Sequence, residues 1–231
     1  MPSSPGPLLR RTLLALVAVA TLGVSACGDD GDGPSADPDG VLTRDEISEA
    51  LLPVGSTVEQ AEVGPEDLPG FADDREADRE ECQPLSALVD LDPEPTRSAR
   101  VQVDVKPLGA WVHVQLLTYP AGDAEEVLDQ VAAAVEACAD GYVETRVREY
   151  PVHEVAREEG PAIGDQVVAF STTATDSMDT EPFPLDEHTV LVRDGQQVLA
   201  FRAGSIGEDE EALALLGAVV DAQWERYAAA R

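Results

Sequence analysis

Asp194-Gly195 stands between two apolar runs, Val190-Leu191-Val192 and Val198-Leu199-Ala200-Phe201. Both residues of the pair tolerate positive φ, so the segment predicts an antiparallel β-hairpin. Upstream, Val101, Val103 and Val105 alternate with Gln102 and Asp104, the period of a half-buried strand. Pro107-Leu108-Gly109 reads as a turn into a second strand, Trp111 to Tyr119, with Val112, Val114 and Leu116 on one face. Extended stretches are expected at Tyr142 to Tyr150 and Gln166 to Thr173, and Ala174 to Asp186 reads as a polar loop.

Two long helices are expected beside these strands. Asp123 and Glu126 cap one that runs to Cys138, with Val127, Val131, Val135 and Cys138 on one stripe. The other closes the chain from Glu208 to Tyr227, with Leu213, Leu216, Val220, Trp224 and Tyr227 on one face. Two short helices precede the strands. Thr43 and Glu46 make a capping box for a helix that Pro53 stops after Leu52. Cys82, Leu85 and Leu88 share a face at three-residue spacing. Ser56 to Gly70 reads as irregular or weakly extended. The sum is an α+β fold: a mostly antiparallel sheet of about five to six strands packed on two long helices, with short N-terminal helices.

The first residues belong to no part of this fold. Arg10 and Arg11 precede an apolar run from Leu13 to Leu22, followed by small residues. The run is shorter than the about 20 residues of a spanning helix, and its order is that of a secretion signal. Val24-Ser25-Ala26-Cys27 resembles the lipobox of bacterial lipoproteins. That resemblance implies cleavage after Ala26 and a diacylglycerol on Cys27. A plain secretory signal cut near Ala26 is the alternative, and the Arg10-Arg11 pair faintly resembles a twin-arginine export signal.

Gly28 to Gly40, rich in Gly, Asp, Pro and Ser, cannot bury apolar surface and is expected to be a flexible tether. Asp29, Asp30 and Asp32 lack the later ligands of an EF-hand calcium loop. The expected organisation is a signal peptide at 1–26, an acylated Cys27 with an acidic tether at 27–41, and one extracytoplasmic domain at 42–231. That domain, about 190 residues, is long enough for one sizeable core.

The chain carries 46 acidic and 15 basic residues, a formal charge of −31. Losing residues 1–26 removes Arg10, Arg11 and no acid, so the charge falls to −33. Lys106 is its single lysine. No basic face can neutralise phosphates, which excludes nucleic acid as a partner. Anionic headgroups repel such a surface, so attachment to the membrane falls to the lipid on Cys27.

Cys82 and Cys138 are the other two cysteines. Export puts them in an oxidising compartment, where such a pair tends to join. A bridge closing this loop of about 57 residues is worth roughly 4 kcal/mol in the chain-entropy model. A metal pair or free thiols are the alternatives, and no ligand-spaced histidine supports a metal.

Catalytic signals are few. Ala203-Gly204-Ser205-Ile206-Gly207 sits between a strand and a helix, where a serine hydrolase places its nucleophile. Ala stands where the usual motif has Gly, and no histidine follows His188. Ser205 is therefore read as a helix-entry residue. His113, His153 and His188 have no metal-ligand spacing within one element. Among 46 carboxylates, acid–base pairs arise by chance. Trp111 and Trp224 read as core or sheet cover. No phosphate loop, Cys-x-x-Cys or Ser-x-x-Lys motif occurs, and neither a cofactor nor a metal is expected.

The order of features resembles the PknH-type extracellular sensor domain of membrane-spanning serine/threonine kinases and related actinobacterial lipoproteins. It is carried by Leu51-Leu52-Pro53, Cys82-Gln83-Pro84-Leu85, Val135-Glu136-Ala137-Cys138, Gly164-Asp165, the Val190 to Phe201 hairpin and the closing helix. The resemblance implies a non-catalytic extracytoplasmic domain with a curved sheet, two helices and a cleft. Those domains commonly hold two disulfides, and this chain has cysteines for one.

The expected function is thus a membrane-anchored lipoprotein with a non-catalytic, ligand-binding or sensor-like domain. Its expected partners are the membrane, through Cys27, and a small molecule or envelope protein. An envelope assembly role is the alternative, followed by a hydrolase using Ser205 or carboxylates near the Trp111 strand.

Overall fold

The computed structural model describes residues 41–65, 75–87, 92–105, 110–145, 149–176, 183–205 and 209–231. The signal, Cys27, the tether, Leu88, Lys106 and the expected Pro107-Leu108-Gly109 turn lie outside these residues.

Among the described residues the first element is α1 (Arg44–Ala50). The Glu46 amide donates to the Thr43 hydroxyl at 3.3 Å, and the Thr43 amide donates to the Glu46 carboxylate at 2.7 Å. This is the expected capping box, which satisfies two N-terminal amides. Three short strands follow: β1 (Thr57–Val58), β2 (Ala61–Pro65) and β3 (Glu76–Ala77). A 3-10 turn at Glu80–Cys82 runs into α2 (Gln83–Ser86). Next come β4 (Arg97–Asp104), β5 (Trp111–Thr118) and α3 (Asp123–Ala137). The chain ends with β6 (Tyr142–Thr145), β7 (Glu149–Arg157), β8 (Gln166–Asp176), β9 (Phe183–Asp194), β10 (Gln197–Gly204) and α4 (Asp209–Ala229).

Among the described residues these strands form one ten-stranded sheet in the order β1-β2-β4-β5-β10-β9-β8-β7-β6-β3, with every neighbouring pair antiparallel. This corrects the expectation of five to six strands packed on two long helices. Three causes account for the difference. The strands β1, β2 and β3 are only two to five residues long, and the two-residue edges β1 and β3 carry no alternation to read. The Tyr142–Tyr150 stretch is two strands, β6 and β7, and β7 continues to Arg157. The supposed loop from Ala174 extends β8 to Asp176, and β9 starts at Phe183. The two strands are joined there by side chains as well, the Thr173 hydroxyl donating to Asp186 at 2.7 Å.

The helices do not share a face. All eight residues of β10 are buried. Leu199, Phe201 and Ala203 point into a core with α1 and α4, while Val198 and Ala200 point into another with α3. The sheet is therefore covered on both sides, α4 lying against β5, β9 and β10, and α3 against β7, β8 and β9. A central strand buried on both faces loses the polar half of its alternation. Each fully buried Leu, Val or Phe adds about 1.5–3 kcal/mol over exposure.

Three local expectations shift. The hairpin turn is Gly195-Gln196, one residue later than expected, because Asp194 pairs with Gln197. Only Gly195 has positive φ (61°), which fits a type II′ turn with Gly in its first central position. Gly122, in the left-handed region, is the N-cap of α3, with no side-chain cap. Asp123, Glu125 and Glu126 then fill the first helical turn, where their charge suits the helix dipole. In α4, Leu213 is exposed, and the inward stripe is Ala212, Leu215, Leu216, Val219, Val220, Gln223 and Tyr227.

Cys82 and Cys138 are joined, Cα–Cα 5.9 Å, and both are fully buried. The bridge ties the 3-10 turn before α2 to the C-terminus of α3 and so fixes α2 over the α3 face of the sheet.

Candidate functional site

That face carries a crevice where α3 no longer covers the strands. Its floor crosses five strands. β10 brings Arg202, and β9 brings Leu185, Glu187 and Thr189. β8 adds Phe170, Thr172 and Ala174, while β7 and β6 add Tyr150, Val152, Tyr142 and Glu144. Leu85 of α2 lies on the other side. The strand register explains the gathering, because Arg202 lies opposite Thr189 and Glu187 opposite Gly204, all on the face shared with Phe170 and Thr172.

The lining is charged although it is buried. Arg202 is 6% exposed and donates to the Leu85 carbonyl at 3.1 Å. Its guanidinium stands 3.9 Å from the Glu187 carboxylate, an ion pair beyond hydrogen-bond distance. Glu144 is 5% exposed and accepts from Arg75 at 3.2 Å, itself 3% exposed. Gln83 positions that arginine by donating to the Arg75 carbonyl at 2.7 Å and accepting from the Ala77 amide at 2.9 Å. Burial pushes the Tyr142 hydroxyl up to about 12, and the charges of Glu144 and Glu187 add to the effect against that of Arg202. A phenol is neutral at physiological pH even at its ordinary value of 10, and a hydrogen bond with Ser86 works against the upward push at Tyr142.

Buried ion pairs give little net stability, because desolvation offsets their attraction. Two of the 15 basic residues of a strongly acidic chain are committed to this one place. Buried charges lining a cleft make it the candidate binding site of this face. The crevice spans about 400 Å³ including its open mouth, but its enclosed free space is about 20 Å³. That is room for one water. A larger depression of about 520 Å³ runs along the outside of α3 past Glu125, Glu126 and Asp129. It is open, and its acidic side chains are a solvated helix surface.

The same face continues onto β5. His113 lies opposite Arg202, and Trp111 lies opposite Gly204. The Trp111 indole covers Gly204 so closely that a Cβ there would sit 2.6 Å from Cζ2. His113 meets that indole edge-on, ring centroids 4.7 Å apart.

The sequence candidates are dispersed. His188 is on the opposite face from His113, with Nδ1 2.9 Å from Glu158. His153 is exposed and bonds the Thr175 hydroxyl at 2.7 Å. The three histidines thus do not converge, and no group of three possible metal ligands occurs among the described residues. Asp209 is the first described residue of α4, and Ser205 is buried just beyond β10. Its strand lies in an antiparallel sheet, unlike the parallel sheet that displays a hydrolase nucleophile. Sequence reasoning missed Arg202, Glu187, Glu144 and Arg75. The available signal was Arg202 itself, a charge inside the apolar strand Val198-Leu199-Ala200-Phe201.

No protein-family model matches the chain, and no curated protein matches its sequence. Its fold is similar to the crystal structure of the extracellular domain of PknH from Mycobacterium tuberculosis. The two share a TM-score of 0.51 at 12% identity, over 80% of this chain and 98% of that one. The likeness defines a class of fold, the PknH extracellular-domain fold. Among the described residues no helix is long and apolar enough to cross a membrane.

Proposed function

We propose that this chain is a lipoprotein held at the outer side of the cell membrane through Cys27, with a non-catalytic, sensor-like domain that binds a small molecule in the Arg202–Glu187 crevice. The observation that carries the reading is the fold itself, which matches nearly the whole of a kinase's extracellular domain. The signal-like start ending in Cys27 and the buried Cys82–Cys138 bridge agree with an exported domain.

Two measurements test it. In a bacterial host fed an alkyne-bearing palmitate, the full chain is expected to take the label and sediment with membranes, and Cys27→Ala is expected to lose both. Label-free full chain recovered from the cytosol would overturn the anchoring. Native mass spectrometry of the full chain is expected to show a copurified small mass that Arg202→Gln sheds.

One observation favours a second reading, assembly with another envelope component. The crevice is narrow, with enclosed space for a single water. An empty native spectrum together with a stoichiometric protein partner would select that reading.

A further inference from the structure

We draw no further inference here: the strongest candidate, the half-buried Trp111–His113 aromatic patch of β5 beside Gly204 on the sheet face that α3 shares, carries nothing because nothing in the structure shows what covers it.

Discussion

Gln223 of α4 reaches across to the end of α1, accepting a hydrogen bond from the Leu52 amide at 3.0 Å. Its amide nitrogen donates to the Ala50 carbonyl at 2.7 Å, so one side chain closes both sides of the backbone where α1 stops. Arg226, one turn on, donates to the Leu51 carbonyl. Gln223 is fully buried. Replacing it by Leu removes two hydrogen bonds and leaves buried backbone groups unsatisfied, which costs about 2–4 kcal/mol. Urea unfolding of Gln223→Leu is expected to show a lower midpoint at unchanged slope. A midpoint equal to that of the parent would mean that α1 is not held this way.

The Cys82–Cys138 bridge separates residues 56 apart in sequence and lies wholly inside the protein. Replacing both cysteines by Ala is expected to remove up to about 4 kcal/mol, mostly by enlarging the unfolded ensemble. The denaturant slope is then expected to rise, because the open chain exposes more surface on unfolding. Since the bridge also fixes α2, whose Leu85 carbonyl accepts from Arg202, the double variant is expected to loosen the hold on any ligand in the crevice. Unaltered stability would show that packing of α2 on α3 suffices alone.

Parts of this fold were open to reading from the sequence because they are local. The Thr43–Glu46 capping box, the β4 alternation, the extent of α3 and the hairpin each follow from contacts within a few residues. The cystine followed from cysteine count and export. The edge strands β1 and β3 were not legible, because two residues carry no period and their pairing is imposed by β2 and β6. The two-sided cover of the sheet was hidden for a related reason. Val198 and Ala200 look like the backs of inward residues until α3 is known to lie over them. The crevice was least legible of all. Arg75, Glu144, Glu187 and Arg202 are spread over more than a hundred positions, and only the strand order brings them together.

Trp111 depends on the missing side chain of Gly204. A Cβ at that position would stand 2.6 Å from Cζ2 and 3.2 Å from Cη2 of the indole. Gly204→Val is therefore expected to lift the ring off the strand, at about 1–3 kcal/mol for overpacking. In a Trp224→Phe background the remaining tryptophan reports this directly. Its emission is expected to shift to longer wavelength as the ring meets water, and an unshifted spectrum would mean that the strands absorb the added bulk.

Acid is expected to loosen this protein through carboxylates that the fold holds ionised. The Glu46 carboxyl lies below its ordinary value of 4.5, chiefly because the Thr43 backbone amide donates to it, then because of the Thr43 hydroxyl. The Asp140 carboxyl lies below its ordinary 3.8, chiefly through its hydrogen bond with Arg79 at 2.7 Å, then through that residue's charge. Both values are lower in the folded than in the unfolded chain. Their stabilisation is thus complete above the ordinary carboxylate range and is lost as the pH falls through the folded values. Glu46→Gln with Asp140→Asn keeps an acceptor oxygen at each place and deletes the charge. Melting temperatures of parent and double variant are expected to differ at neutral pH and to converge as the pH drops below 3.8. A gap that stays constant down to strong acid would show that the charges contribute nothing and that the acceptor oxygens alone hold α1 and the end of α3.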